Sequence, residues 1–210
     1  MAGMGTPERD TIAAYDAFAA AYRDGTAAKP EAVLALVERF AEELPPDSRV
    51  LEIGSGPGHG AAVLEAAGLS VRRTDVSPEF VRLLRRAGHQ ADVIDPLTDD
   101  LFDPVRPLER YDAVWADACL LHVSRANLPL VLARLADATK SAGLFYASFK
   151  EGDGEDWSTH GHVHAPRHFV YWRSTELREV IEESGWVVEE VGREPGKSGD
   201  IWLEVWARRQ

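Results

Sequence analysis

Glycines recur at every second position in one short stretch of the chain, and this spacing indicates a ligand site. The motif E-x-G-x-G-x-G occupies residues 52–58, directly after an apolar run. Glycine lets the backbone approach a ligand closely, and the N-terminus of a following helix supplies unpaired N–H groups. Asp75 ends the next apolar run, where its carboxylate can accept two hydrogen bonds from ribose hydroxyls. This order of residues is typical of a nucleotide site at the carboxyl ends of parallel strands.

The glycine spacing also bears on which nucleotide binds. A dinucleotide fingerprint has the form G-x-G-x-x-G, and His59 stands at the position of its third glycine. An NAD- or FAD-dependent oxidoreductase is therefore an alternative that shares the layout but lacks the fingerprint.

The elements that would position these residues alternate between short apolar runs and amphipathic helices, which predicts parallel βαβ units. We expect helices at about residues 7–25, 30–43, 59–67, 78–87, 127–140 and 174–184. We expect strands at about residues 49–53, 71–75, 90–94, 111–116, 144–149, 186–192 and 201–207, the last two as an antiparallel hairpin. The polar interval 151–173, rich in Gly and His, is predicted as a functional loop.

Composition limits the classes of partner. The 210 residues include 23 Lys and Arg against 35 Asp and Glu, a formal net charge of −12, which disfavours nucleic acid as a partner. No run of about 18 apolar residues occurs, so we expect no membrane span. The N-terminal residues lack a signal-peptide pattern. The single cysteine, Cys119, excludes an internal disulfide, so we expect a cytoplasmic protein, and the many Arg and Ala residues favour a bacterial one.

The motif at residues 52–58 resembles motif I of the class I S-adenosylmethionine-dependent methyltransferases, and the resemblance covers roughly residues 10–208. Asp75 matches the family's ribose-binding acid. Asp95 matches the acidic position near the adenine amino group, with Asp92 as a nearby rival. Residues 112–117 match the fourth strand, where the methyl group faces the acceptor. The turn at residues 140–143 has only one of the glycines that are common there.

The resemblance implies an α/β fold with one Rossmann-like, doubly wound sheet of seven strands. The sheet would be mostly parallel with a C-terminal antiparallel hairpin, helices on both faces and an N-terminal helical lid. Residues 1–45 would pack on or cap the site, and residues 46–210 would form the S-adenosylmethionine-binding domain, within one structural domain. The implied reaction is in-line methyl transfer to a small-molecule or peptide acceptor by a monomer or homodimer. A non-catalytic protein that binds S-adenosylmethionine remains an alternative.

The cofactor S-adenosylmethionine would contact residues of the motif and of the following strand ends. These candidates are Glu52, Gly54, Ser55, Gly56, Gly58, Asp75, Val76, Asp95 and Asp117. Asp117 and His122 are the catalytic candidates, because a histidine with a pKa near neutrality can take a proton from an acceptor. A hydrogen-bonded structural histidine is the alternative for His122.

The acceptor would contact the predicted N-terminal helix and the Gly- and His-rich interval. Tyr15 and Tyr22 either cover the site or belong to the core. Lys150 and Arg167 are candidates to hold a carboxylate on the acceptor. His164 lies in a stretch of alternating histidines that permits a zinc site, but methyl transfer needs no metal, and we predict none.

Overall fold

The computed structural model describes residues 6–27, 31–196 and 199–210, and in it two helices precede a mixed series of strands and helices. The helices are α1 Pro7–Gly25, α2 Glu31–Glu42, α3 His59–Ala66, α4 Pro78–Arg86, α5 Leu128–Ala138 and α6 Ser174–Glu183. The strands are β1 Arg49–Ile53, β2 Ser70–Asp75, β3 Ala91–Val93, β4 Tyr111–Ala116, β5 Thr139–Glu151, β6 Glu155–Ser158, β7 Arg167–Trp172, β8 Trp186–Pro195 and β9 Ile201–Arg209. Every predicted helix is confirmed, although the start expected for α2, Pro30, lies outside the described residues.

The sheet has the order β3-β2-β1-β4-β5-β7-β6, and β9 pairs with both β5 and β8. The pairs among β1 to β5 are parallel, whereas β9 runs antiparallel to β5 and β8. The chain winds outward from β1 in one direction through β2 and β3 and in the other through β4 and β5. The carboxyl ends of β1 and β4 therefore flank a switch point, where open α/β sheets bind ligands.

The predicted fold class is confirmed, but the prediction of seven strands is wrong, because the described residues form nine. The two additional strands, β6 and β7, lie within residues 151–173, which were predicted as a loop. β7 buries Phe169 and Val170 and pairs with β5 at only two residues, Lys150 and Glu151. Its aromatic and β-branched residues favour a strand, but the polar residues around them hide the pattern. The predicted division of the chain into a capping segment, residues 1–45, and a binding domain, residues 46–210, stays a prediction.

Two apolar layers cover the faces of the central strands. On one face Phe145 stacks on Trp186 with ring centroids 4.6 Å apart, within the cluster that includes the inward side of α5. On the other face Trp115 stacks on Tyr146 at 4.3 Å, close to Phe40 of α2. Successive β5 residues thus reach opposite layers, as the pleat requires. This packing fixes the sheet whose edge carries the site.

Phe145→Ala should lower the free energy of unfolding by about 3–5 kcal/mol, because the ring is fully buried and its removal leaves a cavity. Urea unfolding followed by far-ultraviolet circular dichroism measures this loss. Leu108→Ala is the matched control: Leu108 is 96% exposed, and we expect a change within about 0.5 kcal/mol. A Phe145 loss no larger than the control would contradict the core position of this ring.

Candidate functional site

The glycine loop between β1 and α3 adopts a left-handed backbone at three glycines. Gly54, Gly56 and Gly58 have φ values of +68°, +50° and +83°, which side chains with a Cβ atom disfavour. A Cβ at Gly54 would lie 2.4 Å from the Cβ of Cys119, so this position also requires close approach. A Cβ at Gly56 would meet nothing within 4 Å. The loop therefore presents bare backbone to open space at Gly56.

Two buried carboxylates hold this loop in place. Glu52 accepts a 2.9 Å hydrogen bond from the backbone N–H of Ala61 through Oε1 and a 2.5 Å bond from Ser55 Oγ through Oε2. Asp75 accepts 2.8 Å bonds from the backbone N–H groups of Gly56 and Ser77. The side chains of β1 and β2 thus determine where the loop and the N-terminus of α3 lie.

Burial changes the acid strength of both carboxyl groups. Desolvation raises the pKa of Glu52 to about 7, although its hydrogen bond from Ser55 and the charge of Arg73 oppose the change. Desolvation likewise raises the pKa of Asp75 to about 6, against the hydrogen bonds from Ser77 and Gly56. The carboxyl edge of the sheet therefore contains two groups that titrate close to neutral pH.

A cavity of about 200 Å³ opens above this edge. Its walls are the glycine loop, the residues that follow β2, β3 and β4, and one side of α1 and α2. Most of the predicted site residues line it: Tyr15, Tyr22, Glu52, Gly54, Ser55, Gly56, Asp75, Val76, Asp95, Asp117 and His122. Gly58 does not line it and instead begins α3, where a Cβ would lie 2.6 Å from Leu84.

The structure distinguishes Asp95 from Asp92, the two candidates for the acidic position that follows β2 in the chain. Asp95 lines the cavity and accepts a 2.9 Å hydrogen bond from the backbone N–H of Leu97. Asp92 lies within β3, outside the cavity lining, and its carboxylate pairs with Arg72 at 3.0 Å and with Arg85 at 3.9 Å. Of the two, Asp95 is the one placed to meet a ligand.

Asp117 belongs to a strained turn that follows β4. Its Oδ1 accepts a 2.7 Å hydrogen bond from Ser148 Oγ, which in turn accepts one from the backbone N–H of Ala118. Ala118 has a φ of +51°, unusual for a residue with a Cβ, and such strain is common at functional sites. The sequence prediction did not include Ser148, although its position near the end of a predicted strand is a usable signal.

Tyr15 of α1 links the cavity to β7 through a chain of hydrogen bonds. Its hydroxyl lies 3.0 Å from His122 Nε2 and receives a 3.1 Å hydrogen bond from Arg167. His122 Nδ1 lies 2.6 Å from the backbone carbonyl of His168, so Nδ1 must donate and Nε2 accepts from Tyr15. Thr11, one turn earlier, accepts a 2.9 Å bond from the backbone N–H of His168. These bonds fix α1 against β7.

Two acidic residues of α1 make further contacts that the sequence prediction missed. Glu8 lines the cavity and accepts a 2.9 Å hydrogen bond from Asn127 at the start of α5. Asp16 accepts hydrogen bonds from Ser77 Oγ and from the backbone N–H of Glu79, at the N-terminus of α4. A signal was present in the sequence for Glu8, because it lies seven residues before Tyr15 and so on the same face of the helix, whereas Asp16 directly follows Tyr15 and points to another face.

Burial weakens His122 as a base. Desolvation lowers its pKa to about 3, so the imidazole is neutral near pH 7, and both ring nitrogens already have partners in the protein. A general base works best when its pKa is near the working pH. The geometry therefore favours His122 as a residue that positions Tyr15.

The three residues predicted to bind the acceptor from the Gly- and His-rich interval and its flank do not line the cavity. Lys150 is 5% exposed, and its Nζ pairs with Asp200 at 2.7 Å. Arg167 lies behind Tyr15, and His164 is exposed and packs beside Phe18. Their spacing in the sequence gave no information on this, because Lys150 lies in β5 beside β9, whereas His164 and Arg167 belong to the β6–β7 hairpin.

Neither a metal site nor a membrane-spanning helix is found among the described residues. No group of three or more His, Cys, Asp or Glu side chains there has the arrangement to hold a metal ion. No helix in the described part of the chain is long and apolar enough to cross a membrane.

Sequence comparison identifies one family. A family model described as a methyltransferase domain matches residues 22–191. No curated protein matches the chain.

Solved structures share the fold. The 1,6-didemethyltoxoflavin-N1-methyltransferase of Burkholderia thailandensis, with bound 1,6-didemethyltoxoflavin and S-adenosylhomocysteine, is 23% identical, with a TM-score of 0.72 over 100% of this chain and 93% of that chain. The N-methyltransferase NodS of Bradyrhizobium japonicum, in complex with S-adenosylhomocysteine, is 17% identical, with a TM-score of 0.70 over 95% and 98%. The magnesium protoporphyrin IX methyltransferase of Synechocystis, with bound S-adenosylmethionine, is 15% identical, with a TM-score of 0.63 over 100% and 86%.

The raised pKa of Glu52 predicts a pH-dependent stability. Because burial raises this pKa from 4.5 to about 7, the folded state favours the protonated acid, and stability falls as the pH rises through 7. Urea unfolding at pH 5 and pH 8 should show a loss on the order of 1–3 kcal/mol at the higher pH. The raised pKa of Asp75 likewise lowers the stability of the folded state as the pH rises.

Glu52→Gln should reduce this loss, whereas Glu183→Gln, at an exposed position of α6, should leave it unchanged. An equal pH dependence of stability in the wild type and in Glu52→Gln would show that Glu52 does not contribute to this loss of stability.

Proposed function

The chain belongs to the methyltransferase-domain family, among the class I S-adenosylmethionine-dependent methyltransferases, and we propose that the cavity above β1, β2 and β4 is its active site. One observation carries the proposal: the bare backbone at Gly56, the carboxylate of Asp75 and that of Asp95 face one cavity. The acceptor would enter beside α1, and the proposed substrate is a small molecule or a peptide.

The residues present fit S-adenosylmethionine. The space in front of Gly56, where a Cβ would meet nothing, allows the ligand to approach the loop backbone. Asp75 has each carboxylate oxygen held by one backbone N–H, which fixes its direction and leaves lone pairs for ribose hydroxyls. Val76 and Asp95 line the wall beside it and would enclose the adenine. Glu52 would act on the loop and not on the ligand.

Catalysis in this site would rest on orientation. When bound, S-adenosylmethionine supplies a methyl group on a positively charged sulfur. The chain would hold the acceptor in line with this group at near-contact distance, which lowers the barrier without any covalent bond to the protein. Tyr15 and Tyr22 form the wall contributed by α1, with ring centroids 5.7 Å apart, and would exclude water there. Asp117 would position the reacting groups from the end of β4.

The family assignment favours this enzyme over the two alternatives, a non-catalytic binding protein and an NAD-dependent oxidoreductase. The cellular location, the origin and the absence of a nucleic-acid partner are proposals that rest on the composition of the chain. The single cysteine and the acidic charge support a cytoplasmic enzyme without a nucleic-acid partner, and the excess of Arg over Lys supports a bacterial origin. We propose that it acts as a monomer or homodimer.

Isothermal titration with S-adenosylmethionine tests the site. We expect saturable binding to the wild type and roughly 100-fold weaker binding to Asp75→Ala, because two hydrogen bonds to a charged group are lost. Asp92→Ala is the matched control and should bind as the wild type does, since Asp92 lies outside the cavity lining. The proposal fails if the wild type binds neither S-adenosylmethionine nor its product, or if it binds NAD instead.

His122→Gln should lower kcat by less than about tenfold, because the glutamine can still accept a hydrogen bond from Tyr15 and no general base is removed. Loss of a general base typically costs about 10²- to 10⁴-fold. Single-turnover methyl transfer measures the difference once an acceptor is known. A loss in that larger range, with S-adenosylmethionine affinity unchanged, would restore His122 as the catalytic base.

A further inference from the structure

Acidic side chains outnumber basic ones in the lining of the cavity, where His59 and His122 are the basic groups. Five carboxylates contribute to its walls, from Glu8, Glu52, Asp75, Asp95 and Asp117. Among the described residues, no Lys or Arg lines it. A concave site with charges of one sign focuses the field and raises the local concentration of ligands of the opposite charge.

The two nearest candidates for an opposing charge are engaged elsewhere. Lys150 is buried and paired with Asp200 at 2.7 Å, and it does not line the cavity. Arg167 lies on the far side of Tyr15, where Nη1 donates to the Tyr15 hydroxyl and Nη2 to the carbonyl of His160. An acceptor beside these walls would therefore meet carboxyl groups and no Lys or Arg of the described residues.

Two of the carboxylates that line the cavity take their hydrogen bonds from the described residues through one oxygen only. Glu8 takes its hydrogen bonds from Ser124 and Asn127 through Oε1. Among the described residues, Asp117 takes one hydrogen bond, from Ser148 through Oδ1. Each has a second oxygen with lone pairs for an N–H donor. These two residues approach the cavity from α1 and from the end of β4.

We propose that the methyl acceptor is an amine, which enters this acidic cavity beside the Tyr15 and Tyr22 rings. The inference rests on the proposed function and specifies its substrate. The carboxylates attract the protonated amine, which gives up a proton to water before it reacts, and the aromatic rings suit a cationic group.

The charge balance of the reaction agrees with this assignment. The lone pair of the neutral amine forms the N–C bond as the C–S bond breaks, and the electron pair of that bond stays on sulfur. The positive charge thus passes from sulfur to nitrogen and stays within the acidic cavity until a proton leaves to water. With a carboxylate or phenolate acceptor the two charges would instead cancel, so the acidic walls would hold no transferred positive charge and would repel the free acceptor as it enters.

Binding of matched probes tests the charge preference without turnover. The protein loaded with S-adenosylhomocysteine is titrated with three pairs that share an apolar body, and binding is followed by ligand-observed NMR. The pairs are tryptamine and indole-propionate, phenethylamine and phenylpropionate, and hexylamine and heptanoate. We expect at least one amine to bind, and each amine that binds to do so about tenfold more tightly than its acid. The proposal is overturned if any acid equals or exceeds its amine, or if no amine binds.

Calorimetry on the same protein separates this failure from failure of the proposed function. If S-adenosylhomocysteine binds and the acids prevail, only the amine assignment is wrong. If neither S-adenosylhomocysteine nor S-adenosylmethionine binds, the proposed function itself is wrong.

Isosteric variants show which carboxylates cause the preference for the amine. Glu8→Gln and Asp117→Asn keep an oxygen for their hydrogen-bond donors but remove the charge, so each should weaken binding of the amine about three- to tenfold and leave binding of the acid equal or stronger. Asp92→Asn is the matched control outside the cavity lining and should change neither. Equal losses for amine and acid would indicate a disturbed fold instead of a lost charge and would count against the proposal.

Discussion

Two buried carboxylates, those of Glu52 and Asp75, hold the glycine loop on which the rest of the site depends. A loop with left-handed residues at Gly54, Gly56 and Gly58 has no regular hydrogen-bond pattern of its own. Its N–H groups must therefore find acceptors: that of Gly56 donates to Asp75 and that of Ser55 to the carbonyl of Thr74. Glu52 accepts from the Ser55 hydroxyl and from the N–H of Ala61 in the first turn of α3. Desolvation makes each acid costly, as the raised pKa values show, and removal of either would leave buried donors without partners.

Helix α1 depends on a different kind of interaction. Along its length only Thr11, Ala14 and Ala19 are fully buried, and its apolar packing on α4 consists of Tyr15 and Tyr22 against Phe80. Polar contacts from Glu8, Thr11, Tyr15 and Asp16 reach further, to α5, β7, the turn after β4 and the start of α4. Hydrogen bonds depend on direction, whereas apolar burial does not. The position of Tyr15 over the cavity is thus set by several elements at once.

The sequence predicted the features that depend on neighbouring residues. The limits of β1 and β4, the loop between β1 and α3 and the acid at Asp75 all follow from local apolar runs and turn residues, and the structure has them at the predicted positions. It did not predict β6 and β7, because their pairing joins residues from two segments of a polar interval. The surroundings of Arg167 could therefore not be predicted either, since Arg167 pairs with Ser158 of β6. Burial of His122 was likewise invisible, because β7 and α1 cause it.

The common end of the strands explains why so many of the predicted site residues line one cavity. In the sheet Ile53 lies opposite Thr74, and Asp75 lies opposite Val93, so β1, β2 and β3 end at nearly the same level. A residue that directly follows one of these strands therefore lies close to the residues that follow the other two, regardless of how the segments between the strands fold. Asp92 and Asp95 differ in this respect alone, because β3 ends between them, and only Asp95 lines the cavity. In a parallel sheet, the point where a strand stops therefore decides which of two similar acids can meet a ligand.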